Sequence, residues 1–463
     1  MSTKFSSEKG FILTMAGAAI GLGNIWRFPY LVSNYGGSLF IALYLIALIS
    51  IGYFLLLSEL SLGKTSEDAL FDAPLKIATQ EMSPHPKMWE KLVKYFSLSS
   101  AFLMNIVYTI VIGWVLFFFV QNFLYLGNVT STAVTSQTFS MLTSKYELQI
   151  FWSFVSLMVV AFFICRDSIK WLEKLSSLFI PALMFILIYL ILWTLTQNKA
   201  MEGLLSVFKA DFKAIGFSST GIDLPRFFEA LCAVVGQVIY SLSIGMGVAY
   251  IYGSYVSKKV NLISSVKYVV ALDTLCSVLA TIFILSLSSA YNIPKDAGVN
   301  LTFVTLPIAF EQMFAGSFLM FLFYGICFLA ALTTFISLYE PIVTHVQKRL
   351  SLPRNGAFAI TASINFAFVM IVLLSCTEHS PLNLFNKTLF NFTSSLTDLI
   401  LLISVLVLSL FTGWVAFGSV YQSLKQQFDR ELNPFATRYM QTVLKFIAPI
   451  LLIILIISSL YHL

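Results

Sequence analysis

The fold of this chain is decided by residues 16–29, which read AGAAIGLGNIWRFP. Glycines at positions 17, 21 and 23 are followed directly by Asn24 and Arg27, inside an otherwise apolar segment. Glycine loses the most backbone entropy in a helix and accepts non-helical dihedral angles. An arginine at membrane depth is costly unless it is paired or reaches water. Irregular backbone is tolerated there only within protein or along a cavity, so the pattern predicts an interrupted helix that binds an ion and a small polar solute.

The composition places the whole chain in a membrane. Of its 463 residues 58% are hydrophobic and 11% are charged, and the mean hydropathy is +0.86. Soluble globular domains do not have this balance, and repeated apolar runs of about 20 residues indicate membrane spans. We therefore expect an all-α polytopic membrane protein.

Hydropathy predicts eleven spans, at about 9–36, 38–62, 93–125, 148–165, 172–194, 227–255, 262–289, 317–347, 357–376, 395–421 and 438–461. With the N-terminus in the cytoplasm, most of the 28 Lys and Arg residues fall on the cytoplasmic side. The positive-inside rule favours this orientation. The prediction is a cell (inner) membrane protein with its C-terminus outside.

A second glycine-rich interruption occurs in the sixth predicted span, where residues 241–247 read SLSIGMG. Paired interruptions at corresponding positions of two halves indicate a transporter site between inverted repeats. Each repeat would hold five spans, at about 9–194 and 227–421, and the span at about 438–461 would be an addition. The chain would thus form a single transmembrane transporter domain.

Interrupted helices expose carbonyls that attract cations and N–H groups that attract an anion. Asp273 in the seventh span could be a cation ligand or a proton carrier, and Thr333 and Thr334 could add hydroxyl ligands. Structural alternatives remain open. The glycines could serve close helix packing, Asp273 could be protonated within the bundle, and the threonines could bond their own backbone. For Glu59 and Glu340 we favour a bracing role near interrupted or kinked backbone.

The motifs resemble those of the neurotransmitter:sodium symporter family along essentially the whole chain. They are GLGNIWRFPY at 21–30, NYGG at 34–37, GQ at 236–237, SLSIGMG at 241–247 and LTFVTLP at 301–307. The chain looks most like the eleven-span bacterial members that import amino acids with sodium. The resemblance implies the five-plus-five inverted-repeat fold of the bacterial leucine transporter and an alternating-access mechanism.

The resemblance also implies the site residues. One sodium ion would be held by Ala19, Asn24, Ser241 and Asp273, together with the substrate carboxylate, and a second by Gly17, Ile20, Ala330, Thr333 and Thr334. The substrate would meet Ala18, Leu22, Gly23, Met104, Tyr108, Tyr240, Ser241, Ser243, Met246, Thr334 and Leu338. Arg27 and Tyr240 would form the outer gate.

Departures from the family pattern carry information of their own. Tyr44, Gln237, Ser241 and Ser277 match most of the chloride site of animal relatives, but Asp273 stands among them. A carboxylate would supply the negative charge that sodium needs and would repel chloride. We therefore expect two sodium ions and no chloride.

The gates also depart from the pattern. Spacing back from residues 411–414 places the acid partner of Arg27 near Thr393 and Asn391, whereas Asp398 is offset by about five residues. On the inner side Lys348 stands where an acid is usual, and elsewhere Phe5 and Trp171 replace a tryptophan and a glycine. We expect gating to rest more on packing and water exclusion than on two strong salt bridges.

The pocket positions favour a neutral, hydrophobic or aromatic amino acid, because flexible Met104 and Met246 adapt to differing shapes and no charged residue is among them. The partners would be this amino acid, sodium and the bilayer, without nucleic acid. An alternative is a non-transporting amino acid sensor that kept the fold. An enzyme lacks support, since no nucleophile–base pair or metal cluster is visible, and two interruptions describe an occluded site rather than a channel.

Overall fold

A computed structural model describes residues 4–65, 72–124, 136–166, 168–218, 221–257, 260–292, 300–313, 315–375, 383–384, 387–427 and 433–461. This part of the chain is almost entirely helical. The α-helices are α1 Glu8–Ala19, α2 Phe28–Asn34, α3 Ser38–Ala47, α4 Tyr53–Thr65, α5 Ala73–Gln80, α6 Pro86–Leu124, α7 Ser136–Ser144, α8 Tyr146–Ile164, α9 Ser168–Thr194, α10 Ala200–Phe208, α11 Leu224–Ser241, α12 Val248–Tyr255, α13 Leu262–Ala290, α14 Leu306–Glu311, α15 Gly316–Leu350, α16 Arg354–Leu374, α17 Leu389–Leu410, α18 Phe417–Lys425, α19 Pro434–Thr442 and α20 Ala448–Tyr461.

Shorter elements link or continue these helices. Wide π-helical turns occupy Gly23–Arg27, Leu48–Gly52, Leu301–Thr305, Phe411–Val415 and Val443–Ile447, and a 3₁₀ turn occupies Lys213–Ile215. Two small antiparallel hairpins pair β1 Phe217–Ser218 with β2 Gly221–Ile222, and β3 Asn383–Leu384 with β4 Lys387–Thr388.

The described part contains nine helical segments long and apolar enough to cross a membrane, and α1 with α2 forms a tenth, broken span bent by 60°. The sixth predicted span is likewise divided, into α11 and α12. Both interruptions therefore lie where the glycine patterns predict them. The fifth span, α9, is continuous from Ser168 to Thr194 even though it contains Pro181, in agreement with Trp171 at the position of the usual unwinding glycine.

Long helices surround the two broken spans and hold them in position. The first span packs against α9, α13 and α15, and α12 packs against α4. Helices α6 and α15 pack extensively against each other, and α15 also contacts α1 and α12 of the broken spans. The polar backbone of the broken spans is thus enclosed by intact helices, as a membrane protein requires.

A buried ion pair closes the end of the bundle that carries residues 4–8, which we call the N-terminal face. Arg354 donates to Glu340, whose side chain is 0% exposed, and to the carbonyl oxygen of Ile164 at 2.8 Å. Tyr255 donates to the same carboxylate at 3.1 Å. Arg354 at the start of α16 thus supplies an ion pair at this face that the motif comparison did not consider. The expectation that gating rests more on packing and water exclusion than on two strong salt bridges stays a prediction.

Aromatic packing adds to this closure. Phe5 packs edge-on against Phe11 and Tyr252, with ring centroids 5.3 Å and 5.9 Å apart, and its N–H donates to the carbonyl oxygen of Tyr255 at 3.1 Å. Phe5 thus takes the place that the family pattern gives to a tryptophan.

Two glycines let α4 and α12 approach closely. A side chain at Gly253 would overlap the carbonyl oxygen of Leu60, and one at Gly63 would overlap the carbonyl oxygen of Tyr250. The reciprocal arrangement fixes the second half of the sixth span against the second span.

We expect Gly253→Ala to lower the melting temperature of the purified protein in detergent, because overpacking against rigid backbone costs about 1–3 kcal/mol. Gly356→Ala in α16 is the matched control, since the nearest atom to its added Cβ would be 3.7 Å away. Equal melting temperatures for the two variants would contradict the close contact.

Candidate functional site

The first interruption begins where α1 ends at Ala19. Ile20 turns to extended backbone, with φ −73° and ψ 95°, and the chain resumes a helical path at Leu22, directly before the π-helical turn from Gly23. A Cβ at Gly21 would lie 3.2 Å from both the Tyr108 hydroxyl and the Thr334 Oγ1. Glycine at this position therefore keeps the interruption open to the polar groups of two other spans.

The second interruption is held by side chains of neighbouring helices. Ser243, Gly245 and Gly247 have φ values of 51°, 80° and 74°, in the left-handed region that favours glycine. The Gly245 N–H donates to Glu59 at 2.9 Å, and its carbonyl accepts from Ser404 at 2.6 Å. Glu59 is 2% exposed, so its carboxylate braces the interrupted backbone, in line with the bracing role expected for it.

The strained Ser243 joins the two interruptions directly. Its hydroxyl donates to the carbonyl oxygen of Ala18 at 3.1 Å. Non-glycine residues with positive φ are uncommon, and such strain clusters at functional sites. The sequence places Ser243 in the site but gives no sign of its left-handed backbone.

Three spans contribute to a polar cluster around Asp273. Asn24 Nδ2 donates to Asp273 at 2.7 Å and to Ser241 at 3.0 Å, and Ser241 Oγ lies 2.8 and 2.7 Å from the two carboxylate oxygens. The Tyr44 hydroxyl adds a donor at 3.2 Å. All four side chains are at most 2% exposed. The structure thus brings together the predicted ligands Asn24, Ser241 and Asp273.

The amide of Asn24 links this cluster to the first interruption. Its Nδ2 points at the carboxylate and also at the Ser277 hydroxyl, 2.9 Å away. Its Oδ1 accepts from the Gly21 N–H at 3.1 Å. The Nδ2 donor of Asn24 therefore occupies the side of the Asp273 carboxylate where a cation would bind.

A second set of oxygens lies between α1 and α15. Thr334 Oγ1 is 3.3 Å from the carbonyl oxygens of both Gly17 and Ile20 and 3.2 Å from that of Ala330. Thr333 Oγ1 also lies 3.1 Å from the Ala330 carbonyl. The five residues predicted for the second cation converge at one place, and their donor atoms are the hard oxygens that such ions prefer.

Residues of both oxygen sets border a small cavity of about 20 Å³, Ala19 and Asn24 from the first set and Thr334 from the second. Its lining residues are Ala19, Gly21, Leu22, Gly23, Asn24, Met104, Tyr108, Tyr240, Ser243, Met246, Thr334 and Leu338. Of the predicted substrate contacts only Ala18 and Ser241 are missing from it. Ala18 directs its carbonyl to Ser243, and Ser241 faces Asp273. Gly21 also lines the cavity, although it is not among the predicted substrate contacts.

One lining residue has an unused polar group. The hydroxyl of Tyr108 is buried and makes no well-formed hydrogen bond among the described residues, although the Thr334 side chain and the Leu22 backbone lie within its reach. A buried hydroxyl without a partner carries a free-energy cost, so a group facing this cavity would gain by binding to it.

A stacked pair covers the cavity on the side away from the N-terminal face. The Arg27 guanidinium lies 4.9 Å from the centre of the Tyr240 ring, and the Tyr240 hydroxyl lies 3.6 Å from the Met104 sulfur. A larger cavity of about 530 Å³ lies beyond this pair, and its lining includes Arg27, Tyr240 and Asp398. The acids that line this cavity together with Arg27 are Asp398 and Glu229, and the placement of the acid partner near Thr393 and Asn391 stays a prediction. Thr393 donates to the Leu389 carbonyl within its own helix.

Comparisons with known proteins agree with this arrangement. A model of the sodium:neurotransmitter symporter family matches residues 2–141 and 136–463. An uncharacterized sodium-dependent transporter of Haemophilus influenzae is 30% identical over 472 residues, covering 99% of this chain and 98% of that protein. The uncharacterized sodium-dependent transporter YhdH of Bacillus subtilis is 28% identical over 410 residues, covering 88% and 87%.

A solved structure shares the fold. The crystal structure of MhsT in complex with L-phenylalanine matches with a TM-score of 0.83 at 24% identity and covers 99% of both chains. The predicted fold class, an all-α membrane transporter with interrupted first and sixth spans, is confirmed by this likeness.

We expect Ser241→Ala to destabilise the protein in sodium-free detergent solution, since removing a hydrogen bond to a buried charged group costs about 1.5–3 kcal/mol. Ser254→Ala is the control on the second half of the same span, because its hydroxyl bonds only the Ile251 carbonyl of its own helix. Thermal unfolding measures both. A larger loss for Ser254→Ala would argue against the cluster around Asp273.

Proposed function

Since the chain belongs to the sodium:neurotransmitter symporter family, we propose that it imports a neutral, hydrophobic or aromatic amino acid by alternating access. The members of this family are transporters and not enzymes. The chain is a multi-pass membrane protein that depends on sodium. The observation that carries the proposal is a small cavity whose lining includes residues of two sets of buried oxygens.

Two sodium ions are bound in this proposal. The first binds among Asn24, Ser241, Asp273 and the carbonyl of Ala19, where a fixed carboxylate balances its charge. The second binds among the carbonyls and hydroxyls that meet at Thr334.

Asn24 couples the first ion to the substrate. Sodium repels the Nδ2 donor and attracts the Oδ1 acceptor, so binding turns the amide of Asn24 over. That rotation breaks the bond between Oδ1 and the Gly21 N–H. The freed N–H lies beside those of Leu22 and Gly23, at an interruption where exposed N–H groups attract a carboxylate. The ion thereby prepares the binding site for the amino acid.

The lining of the cavity supports a neutral amino acid with an apolar side chain. Met104, Met246 and Leu338 supply the apolar wall, and no charged side chain lines this cavity in the described part of the chain. The Tyr108 hydroxyl is available for the carboxylate. The L-phenylalanine bound in MhsT supports the same substrate class. Because about 20 Å³ holds little more than a water molecule, Tyr240 and its neighbours must move outward to admit the substrate.

Transport is independent of chloride in this proposal. Asp273 accepts bonds from Asn24, Ser241 and Tyr44, the donors that an anion at this place would need. An ionised carboxylate at a few ångströms also repels chloride strongly in a medium of low dielectric constant.

In this proposal the N-terminal face is cytoplasmic, because the Lys and Arg distribution follows the positive-inside rule, and the protein lies in the cell (inner) membrane. The chain acts as one transporter domain, with repeats at about 9–194 and 227–421 and an additional span at about 438–461.

Proteoliposomes with an inward sodium gradient should accumulate labelled phenylalanine or leucine, and uptake should be unchanged when gluconate replaces chloride. Potassium in place of sodium is the control, and labelled glutamate and lysine test the substrate class. Sodium-dependent binding without uptake would favour the sensor instead. Loss of uptake in gluconate would overturn chloride independence.

Asp273→Asn should reduce uptake at least about tenfold in gluconate, because the amide keeps an oxygen ligand but no longer balances the charge of sodium. Chloride should restore part of the uptake by Asp273→Asn. Gln237 is fully buried and its amide has no hydrogen-bond partner among the described residues, so it can donate to an anion. Asp211→Asn is the control, as Asp211 is exposed. Identical behaviour of the two variants would contradict this role of Asp273.

A further inference from the structure

Helix α10, Ala200–Phe208, lies between the fifth and sixth spans and takes no part in the sites described above. Because α9 begins at the N-terminal face, where Glu173 accepts from Ser6, α10 follows the opposite end of that span. The spacing of a helix divides its nine residues into three sides. Each side has a different character, and the three together indicate where the helix lies.

The first side of α10 packs against α13. Ala200, Gly203 and Val207 are buried on this side. A Cβ at Gly203 would overlap the carbonyl oxygen of Leu285 and the Cα of Ser286, so the two helices touch through their backbones. This close contact fixes the position of α10 along the seventh span.

The contact places α10 near the boundary of the membrane. Helix α13 ends at Ala290, five residues beyond Leu285, and five residues of an α-helix rise about 7 Å. Farther from this end α13 is open on one side, with Tyr268 58% and Leu275 48% exposed, whereas residues 283–288 are buried. Helix α10 therefore helps to cover the last turns of a span that lies at the perimeter of the bundle.

The second side of α10 is apolar and exposed, and the third is polar. Met201, Leu205 and Phe208 are 52%, 62% and 60% exposed and are spaced four and three residues apart, so they form one stripe. Glu202 and Ser206 lie four residues apart on the polar side. A helix with an apolar side next to a polar side is typical of the interface between acyl chains and headgroups.

Lysines at both ends of α10 fit the same location. Lys199 directly precedes the helix, Lys209 directly follows it, and both are exposed. A lysine can lay its apolar stem along the hydrocarbon and bring its ammonium group to a lipid phosphate. This charge favours a phospholipid over an apolar protein surface as the neighbour of the exposed stripe.

The segment after α10 is bonded to the turn between the first and second spans. The Ser38 N–H donates to the Lys209 carbonyl at 3.3 Å, and the Asp211 N–H donates to the Gly36 carbonyl at 3.2 Å. Gly36 and Gly37 have φ values of 91° and 63°, and a side chain on either would overlap backbone oxygens of this segment. The glycine pair of the NYGG motif therefore permits the contact.

Arg226 joins the start of α11 to the same segment. Its guanidinium donates to the carbonyl oxygens of Ala214 at 3.0 Å and of Asn34 at 3.2 Å. Asn34 ends α2, the half-helix that follows Arg27, and α11 contains Tyr240. The two half-helices that adjoin the stacked pair are thus both tied to the segment that follows α10.

We propose that α10 lies in the interface of the leaflet away from the N-terminal face, and that it anchors the turn at residues 34–37 to the bilayer. Its apolar stripe contacts the acyl chains of phospholipids, and the two flanking lysines lie at their phosphates. Neither an ion nor a substrate is needed for this contact, so the inference does not depend on the proposed transport.

Brominated phosphatidylcholine, which quenches tryptophan fluorescence on contact, tests the placement of α10. Leu205→Trp is compared with Glu202→Trp in vesicles whose lipids carry bromine near the carbonyl end of the acyl chains, after subtraction of the wild type with its seven tryptophans. Both positions are exposed, so a tryptophan needs no rearrangement of the core. Bromine should quench the fluorescence added at position 205 at least about threefold more than that added at position 202, and iodide in the water should show the reverse order.

Equal quenching by bromine at the two positions would overturn the interfacial placement. Shielding of position 205 from both quenchers would overturn it as well, because another protein chain, such as a second copy of this one, would then cover the apolar stripe.

Amide hydrogen exchange in phospholipid nanodiscs tests the anchoring. Leu205→Glu places a charge among acyl chains, where it is costly, and should displace α10 toward water. Exchange of the Ser38 and Asp211 N–H groups should then accelerate at least about fivefold. Glu202→Lys is the control, since it changes a charge on the polar side, and it should leave both groups unchanged.

Unaltered exchange at Ser38 and Asp211 in Leu205→Glu would overturn the anchoring role, and so would equal acceleration in Glu202→Lys. Exchange within α6 reports general stability and should not change. Acceleration of the same size in α6 would also contradict the anchor, because the substitution would then act on the whole fold.

Discussion

Backbone groups that leave the helix inside a membrane must find partners within the protein, and this constraint governs the rest of the structure. At the second interruption Glu59 and Ser404 bind the N–H and the carbonyl of Gly245. At the first, Asn24 accepts from the Gly21 N–H. Unpaired groups would cost several kcal/mol each in hydrocarbon, so the bracing side chains are as necessary to the fold as the glycines that allow the interruptions.

The same constraint explains why the binding chemistry lies where it does. Braced backbone still offers spare lone pairs on its carbonyl oxygens, and Thr334 collects three of them within 3.3 Å. Asp273 adds a buried carboxylate that receives donors from three helices. Burial of this charge is costly unless a cation or strong donors compensate it.

Much of this could be predicted from the sequence, but not all of it. Glycine spacing located both interruptions because few other residues tolerate such backbone. The positions of Asp398 and Arg354 could not be derived in this way. Which residues of a long helix face Arg27 depends on how that helix is rotated about its axis. The predicted position was counted back from residues 411–414, and the π-helical turn at Phe411–Val415 changes the number of residues per turn there, so the count does not give the rotation at Asp398. Arg354 meets Glu340 only because the turn after α15 folds α16 back, which is a tertiary effect.

The two ends of the cavity are closed by interactions of different physical kinds. On one side Arg27 stacks on Tyr240, an interaction worth about 0.5–2 kcal/mol that breaks without stranding a buried charge. On the N-terminal side Glu340 is fully buried against Arg354, and separating such a pair costs about 3–5 kcal/mol when it leaves one charge unpaired. The stacked lid is therefore the easier one to open. Opening of the N-terminal face instead requires water to reach Glu340 and Arg354, so that hydration compensates both charges as they part.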